Sequence, residues 1–592
     1  MSYKAPIRDM QFVMNELLDF PTHYQNISTG ENASPDMVDT ILEEGAKLAE
    51  NVLAPLNQVG DKEGCKFENG KVTSPPGFID AYNQYVENGW HSLAIEESWG
   101  GQGLPHSLGS VIYETHLTAN HAWAIYPKGA LGAIQTMQAH ANDELQKKYL
   151  PGMIDGSCGG TMCLTESHCG SDLGLLRTKA EPNDDGSYAI SGSKIFITSG
   201  DHDMTENIIH IVLARLPGAP AGVKGISLFA VPKVHLNDDG SLGEMNSLSC
   251  GSIEEKMGMH GSSTCVMNFD SAQGFLIGEI NKGMSCMFTF INESRLGVAQ
   301  HGHAHIEGSF QKALAYAQDR LQMRAPVRKL PEKAADPIIV HPDVRRMLLT
   351  QKALSEGARM LNYFCAKQVD FLHEKDNEEQ KYQAQNLLAL LTPIAKGFIS
   401  EVSQEATGYG VQILGGHGYI SEWGVEQHVR DTRITTIYEG TTGIQGLDLL
   451  GRKVLASKGE ILLPFVNMVN EFCDNHKGHA LVDQVQQSLK KLLDLTDVVA
   501  SKASNPDEVN GTGVDYLMFA GYTALAYFWA QAAVISQTAL DNETNEVDFY
   551  KAKLATAKFY FSKLLPRTAT LELTIKAGVE DLMAIDDAHF SF

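Results

Sequence analysis

The sequence predicts a mainly α-helical protein with a small β domain between two helical lobes, followed by one more helical domain. Three observations predict it. Apolar residues recur at helical spacing on both sides of residues 160–280, a stretch that instead breaks into short β-branched runs. Strands and helices do not alternate, so the pattern of a doubly wound parallel sheet is missing. The 592 residues, 43% hydrophobic and 20% charged, suffice for roughly four domain-sized units.

Residues 1–35 read as an N-terminal extension. They lack a long apolar run and mix Asp9 and Glu16 with bases, unlike a secretory or transit peptide. Residues 36–160 form the first α domain: Ser34 and Pro35 make a helix start, followed by Met37, Ile41, Leu48, Val52 and Leu53 at helical spacing. Ser74 and Pro75 repeat the start signal, and helical segments broken by glycines and Pro127 are expected over 107–150. Residues 161–281 form the β domain, with strands expected in YAISGSKIFITSG, IIHIVLAR, GISLFAVP and STCVMNFD. Long helical patterns fill 282–452, the second α domain. Residues 453–592 hold at least three further helices, separated by the polar stretch SNPDEVNGTG. Residues 516–540 carry no charge and are long enough to cross a bilayer. Gln531, Ser536 and Gln537 dilute that stretch and no basic cluster flanks it, so a buried helix rather than a transmembrane span is expected.

Forty-seven basic against seventy-two acidic residues leave a net charge of −25, which repels phosphate backbones and anionic lipid, so no nucleic acid partner is expected. The nine cysteines are scattered without a CxxC pair, which fits a reducing, cytoplasmic setting. His301 and His305 stand one helical turn apart, but no third ligand motif accompanies them, so a satisfied helix-face pair and no metal is expected. No GxSxG elbow for acyl hydrolysis is present. Gly-Gly-His-Gly at 415–418 lies between helical segments and is not a dinucleotide fingerprint. Taken alone, Glu439 in IYEGTT is an ordinary loop carboxylate, although apolar neighbours could raise its pKa by desolvation.

Several segments are more informative together: MCLTESHCGSD at 162–172, KIFITSG at 194–200, GYGVQILGGHGY at 408–419 and VRDTRITTIYEGTTGIQ at 429–445. WGGQGLP at 99–105, EEKMGMHGSSTC at 254–265, LIGEINKGM at 276–284 and ESRLGVA at 293–299 join them. In this order they resemble the acyl-CoA dehydrogenase family over roughly residues 40–450. The length and the helical tail look most like its large bacterial branch that includes 3-(methylthio)propanoyl-CoA dehydrogenases.

The resemblance implies the family fold of α lobe, β-barrel-like middle domain and α bundle. It implies FAD as cofactor, an acyl-CoA substrate and its α,β-dehydrogenation to a trans-2-enoyl-CoA, a step of fatty-acid β-oxidation. Such a reaction needs a base for the α-proton and a hydride acceptor at the β-carbon. Glu439 occupies the position of the family's base; its backbone N–H would help stabilise the developing enolate, and Gly440 would let the chain approach the thioester. Met162, Leu164, Thr165 and Ser171 would contact the flavin or its pyrophosphate. Phe196, where the family often has Trp, and Thr198 would flank the ring. Arg320 resembles the arginine that reaches a neighbouring subunit's flavin diphosphate; Gln412, Gly415 and Gly416 would complete that cradle, with Thr441 near the adenosine diphosphate. Ser171, Arg295, Tyr438 and Gly440 would line the substrate site. Glu293 is a minor rival base, and Cys163 is expected to pack beside the flavin. The expected partners are an electron-transfer flavoprotein as electron acceptor and a second copy of the chain in a homodimer. The alternatives are an acyl-CoA oxidase that passes electrons to oxygen and a non-catalytic acyl-CoA-binding protein of the same fold.

Overall fold

Ser34 starts the first long helix as its place before Pro35 requires, its hydroxyl accepting from the Met37 N–H at 3.4 Å. In the computed structural model, which describes residues 3–374 and 377–591, helix Pro35–Leu48 continues through Ala49–Leu53 into Ala54–Glu63. The chain divides into two units, one made chiefly of Asn32–Ser294, the other of Pro6–Glu31 and Arg295–Phe592.

In the first unit, two expectations are corrected. Ser74 does not cap a helix: its N–H and hydroxyl donate to Asp203 at 3.0 and 2.5 Å. The next helix begins at Phe78, after Gly77 at φ +84°, a conformation that favours glycine. Nor do Pro127 and the glycines interrupt the helix His106–His140, whose single non-helical residue is Asn120. There the Asn120 side chain accepts from the Trp123 N–H at 3.1 Å, so the helix is recapped internally. Its glycines are where neighbours press in: a Cβ on Gly129 would lie 2.6 Å from the Gly160 carbonyl oxygen, and one on Gly132 2.4 Å from the Phe290 ring.

The four expected strands form one sheet together with Cys158–Cys163, Lys179–Pro182 and Leu248–Ile253, which the sequence reading did not anticipate. Thr264–Ile277 pairs antiparallel with Tyr188–Thr198, Leu248–Ile253 and Ile226–Pro232. Ile226–Pro232 pairs with Asn207–Arg215, which lies parallel to Cys158–Cys163 and reaches Lys179–Pro182 through Lys179 opposite Arg215. Lys179–Pro182 returns to Tyr188–Thr198, closing a barrel-like ring.

The second unit is helical, with Glu378–Leu414 lying along Pro342–His373. The helix containing the charge-free stretch runs Pro506–Asp541, so the polar residues 506–513 lie inside it rather than between helices. The reason is a close helix approach: a Cβ on Gly446 would meet the Gly513 carbonyl carbon at 2.7 Å. Among the described residues Pro506–Asp541 is the one helix long and apolar enough to cross a membrane, and 78% of its most apolar part is buried within the protein. Trp529 donates its indole N–H to the Ala353 carbonyl (3.1 Å), and the Tyr560 hydroxyl donates to the Tyr522 carbonyl (2.7 Å). The opening segment is fastened to the same unit by Arg8 on Glu546 (2.7 Å), His23 on Asp370 (2.8 Å), and Asp9 between Arg359 and Lys553.

Candidate active site

In the helical unit, the chain leaves the short helical turn Arg433–Thr436, and the Ile437 and Tyr438 N–H groups both donate to the Ile434 carbonyl at 2.9 and 3.1 Å. It then turns left-handed twice, at Glu439 (φ +56°) and Gly440 (φ +92°). A non-glycine residue held there costs about 1–3 kcal/mol, so its neighbours must hold it. They do. Gln445 donates through Nε2 to the Glu439 and Gly440 carbonyls at 3.1 and 3.4 Å. Lys396 donates through Nζ to the Gly440 carbonyl at 2.5 Å, and the Tyr438 hydroxyl meets His301 Nδ1 at 2.5 Å. Thr441 closes the turn as the cap of helix Thr442–Leu447, accepting from the Ile444 N–H at 3.2 Å. A Cβ on Gly440 would sit 2.7 Å from Gln445 Nε2 and so displace that side chain's end, while the backbone angle itself favours glycine.

The Glu439 side chain is half-buried, and among the described residues none donates a hydrogen bond to its carboxylate. Burial pushes its pKa up to about 7, against the pull of Arg295 and Lys396. Arg295 pairs with Asp448 at 3.2 Å, while its Nε and the Gln445 Oε1 are buried without a hydrogen-bond partner among the described residues. The Glu439 N–H likewise meets no protein acceptor there. The turn therefore offers a carboxylate able to exchange a proton near neutral pH beside uncommitted polar groups. Tyr438 is engaged through its hydroxyl, and burial, then Glu439, raises its pKa well above the usual phenol value. Glu293, the rival base, is ion-paired with Lys128 at 2.5 Å, with His106 3.9 Å away. His301 and His305 are both buried and differently engaged, since His305 Nδ1 meets His428 Nδ1 at 3.2 Å.

Arg320, Gln412, Gly415 and Gly416 are all exposed on this unit. Tyr316, one turn before Arg320, bonds His417 at 2.9 Å, which brings the end of helix Gly283–Asp319 to the glycine turn. Nothing lies within 4 Å of a Cβ placed on Gly415 or Gly416, so this backbone faces open space.

On the β domain, Met162, Leu164, Thr165 and Thr198 are half-buried and Ser171 is exposed. Phe196 is 59% exposed at φ +58°, a bulky apolar ring held outward in a strained backbone. The Ile195 N–H donates to the Thr165 carbonyl at 2.9 Å, which places the 164–166 loop beside the 194–198 strand. Lys194, fully buried, fastens that loop through the Leu164 carbonyl (3.0 Å) and Glu166 (2.9 Å). Cys163 does not share this face: strand alternation turns it inward, fully buried with Ile197, Val212 and Cys265.

Lys396, Gln445, Lys194 and Glu166 escaped the sequence reading. A lysine in an apolar helical run, as in PIAKGF, was the available signal, because unpaired lysines are almost never fully buried.

Comparison with known proteins covers the whole architecture. Residues 38–157, 161–272 and 281–455 match the N-terminal, middle and C-terminal domains of acyl-CoA dehydrogenases, and 465–586 match the acetyl-CoA dehydrogenase C-terminal-like domain. The chain is 40% identical over 571 residues, 95% of its length and 96% of the relative's, to 3-methylmercaptopropionyl-CoA dehydrogenase of Ruegeria pomeroyi. It is 34% identical, over 99% of its own and 100% of the other chain, to a broad-specificity linear acyl-CoA dehydrogenase of Mycobacterium tuberculosis. Its fold is similar to that of an acyl-CoA dehydrogenase complexed with FAD from Bacillus anthracis, with a TM-score of 0.73, 22% identity and coverage of 98% and 92% of the two chains.

Proposed function

This chain belongs to the acyl-CoA dehydrogenase family, and on that premise we propose that Glu439 is the base that removes the α-proton of its acyl-CoA substrate. Membership makes it an FAD-dependent oxidoreductase that dehydrogenates an acyl-CoA thioester. The observation that carries the assignment of the base is the Glu439 carboxylate, held on a strained turn with no hydrogen-bond donor among the described residues and pushed up to about 7. A general base works best when its pKa lies near the operating pH, and an undonated carboxylate keeps its lone pairs for the substrate proton. FAD, when bound, supplies the acceptor for the hydride leaving the β-carbon.

The remaining roles follow from the chemistry of the side chains. The Glu439 N–H, uncommitted within the protein, would donate to the thioester oxygen as negative charge develops there. Arg295 keeps the base from being raised further, and with Tyr438 and Gly440 would line the substrate; on the β domain, the exposed Ser171 is a separate candidate for a substrate contact. The exposed Phe196 ring and the neutral groups of Met162, Leu164, Thr165, Ser171 and Thr198 suit a planar, uncharged flavin ring and its polar chain. Arg320, Gln412, Gly415 and Gly416, exposed together, would contact the cofactor of a second copy in a homodimer, with Thr441 contributing near the diphosphate. Electrons would leave to an electron-transfer flavoprotein. Nine free thiols support a reducing, cytoplasmic setting.

For substrate, the name of the Ruegeria relative motivates 3-(methylthio)propanoyl-CoA over longer straight chains. A panel of acyl-CoAs ranked by kcat/KM decides, and a preference for long unsubstituted chains would overturn the choice. Glu439→Gln tests the base: it should keep FAD yet lose substrate bleaching of the flavin, with kcat/KM falling roughly a hundredfold or more. Unchanged bleaching would assign the base elsewhere.

A further inference from the structure

We infer that Lys396 is a positioning residue for the base: from helix Glu378–Leu414 it anchors the Glu439–Gly440 turn through the Gly440 carbonyl and brings a positive charge to the base. The inference rests on reading Glu439 as the base.

Lys396 is fully buried, and burying an ammonium is costly unless it is paired. Among the described residues no carboxylate lies within ion-pair distance of it, and its hydrogen bond goes to a backbone carbonyl, that of Gly440, at 2.5 Å. A structural lysine in such a place would be expected on a carboxylate, as Lys194 is on Glu166 at 2.9 Å. Burial pushes Lys396 down to about 8; Glu439 is the first group opposing that, Arg295 adds to it and Glu401 opposes it. Glu401 itself accepts from the Thr442 hydroxyl at 2.5 Å, and behind Arg295 stand Asp448 and Lys453, the latter lowered chiefly by its own burial.

Two consequences follow from one side chain. The hydrogen bond holds the carbonyl that follows the left-handed Glu439, so it resists relaxation of that strained conformation. The positive charge favours the carboxylate form of Glu439, so the base is ionised at lower pH than burial alone would allow.

Three variants separate the effects. Lys396→Met loses donor and charge, Lys396→Gln keeps a donor, and Lys396→Arg keeps the charge. Two measurements read them: infrared titration of the carboxyl band that Glu439→Gln abolishes, made on FAD-loaded protein without substrate, and the pH profile of kcat/KM. In Lys396→Met the infrared midpoint should rise by about one pH unit, which well below the midpoint lowers kcat/KM roughly tenfold. Its high-pH plateau should fall as well. Lys396→Gln should show the raised midpoint with the plateau largely kept, and Lys396→Arg should restore the midpoint. An unmoved midpoint in Lys396→Met or Lys396→Gln protein of native circular dichroism and FAD content overturns the inference; if Lys396→Met does not fold, Lys396→Gln carries the test. Full turnover in Glu439→Gln would instead overturn the reading of the base, while the infrared midpoint would still judge Lys396.

Discussion

A buried lysine stands beside a glutamate in two regions of this molecule, Lys194 with Glu166 in the β domain and Lys396 with Glu439 in the helical bundle. Glu166 accepts from Lys194 at 2.9 Å, from the Thr178 N–H and hydroxyl at 2.9 and 2.6 Å, and from the Arg177 N–H at 2.8 Å. Burial raises its pKa, but Lys194 and then Thr178 overcome that and bring it down to about 2. Among the described residues Glu439 receives no such donor; its lysine bonds the neighbouring carbonyl instead, and burial prevails at about 7. The difference teaches that a cation bonded directly to a carboxylate, with further donors beside it, makes a fixed strut, whereas a cation bonded to the neighbouring carbonyl leaves an exchangeable proton site.

The largest expected effect breaks the strut. Lys194→Met leaves Glu166 buried without its cation and should destabilise the β domain by about 3–5 kcal/mol, read by urea unfolding. A change below about 1 kcal/mol would mean the pair is no more than a surface ion pair. Next, Gly440→Ala puts a Cβ 2.7 Å from Gln445 Nε2 at φ +92°. Displacing the base in this way should lower kcat/KM by roughly ten- to a hundredfold while FAD stays bound.

The third prediction sharpens the contrast through pH. Glu439 is raised from 4.5 to about 7 by folding, so its ionisation costs stability progressively as pH rises from 4.5 through 7. Glu439→Gln should therefore be more stable than the parent at pH 8 and equal to it near pH 4, and the acid limb of kcat/KM in the parent should fall near pH 7. Glu166 is lowered from 4.5 to about 2, so its contribution is present above 4.5 and lost as pH falls towards 2. Thermal melts of Glu439→Gln and Glu166→Gln, each compared with the parent across pH, should show opposite slopes. The smallest effect belongs to Gln445→Met, which removes the donor to two carbonyls; about 1 kcal/mol of turn stability and a several-fold loss in kcat are expected.

Legibility in the sequence followed the range of each interaction. The helix after Ser34, the strands at 188–198, 207–215 and 226–232, the first half of 264–277, and the long helices after residue 283 were readable, since their apolar spacing and end signals lie within a few residues. Where reading failed, a distant partner had intervened. Asp203 claims Ser74 across 129 positions, and the Gly446–Gly513 approach lets helix Pro506–Asp541 absorb a stretch that looked like a loop. Glu439 was visible through its motif, whereas its clamp was not: Lys396 lies 44 positions before Gly440, and nothing local distinguishes it from a solvated helix lysine except the apolar run around it.

What contiguous residues could carry, they carried: the order of α, β and α domains, the helix starts, and a glutamate followed by the glycine that a left-handed turn needs. The character of that glutamate waited on folding in space. Proton affinity and backbone strain depend on which groups converge around a carboxyl and which donors stay away, and those groups come from residues 295, 396, 439 and 445 at once. No stretch of chain contains that convergence, which is why the motif could point to the carboxylate without disclosing what holds it or why it titrates near neutrality.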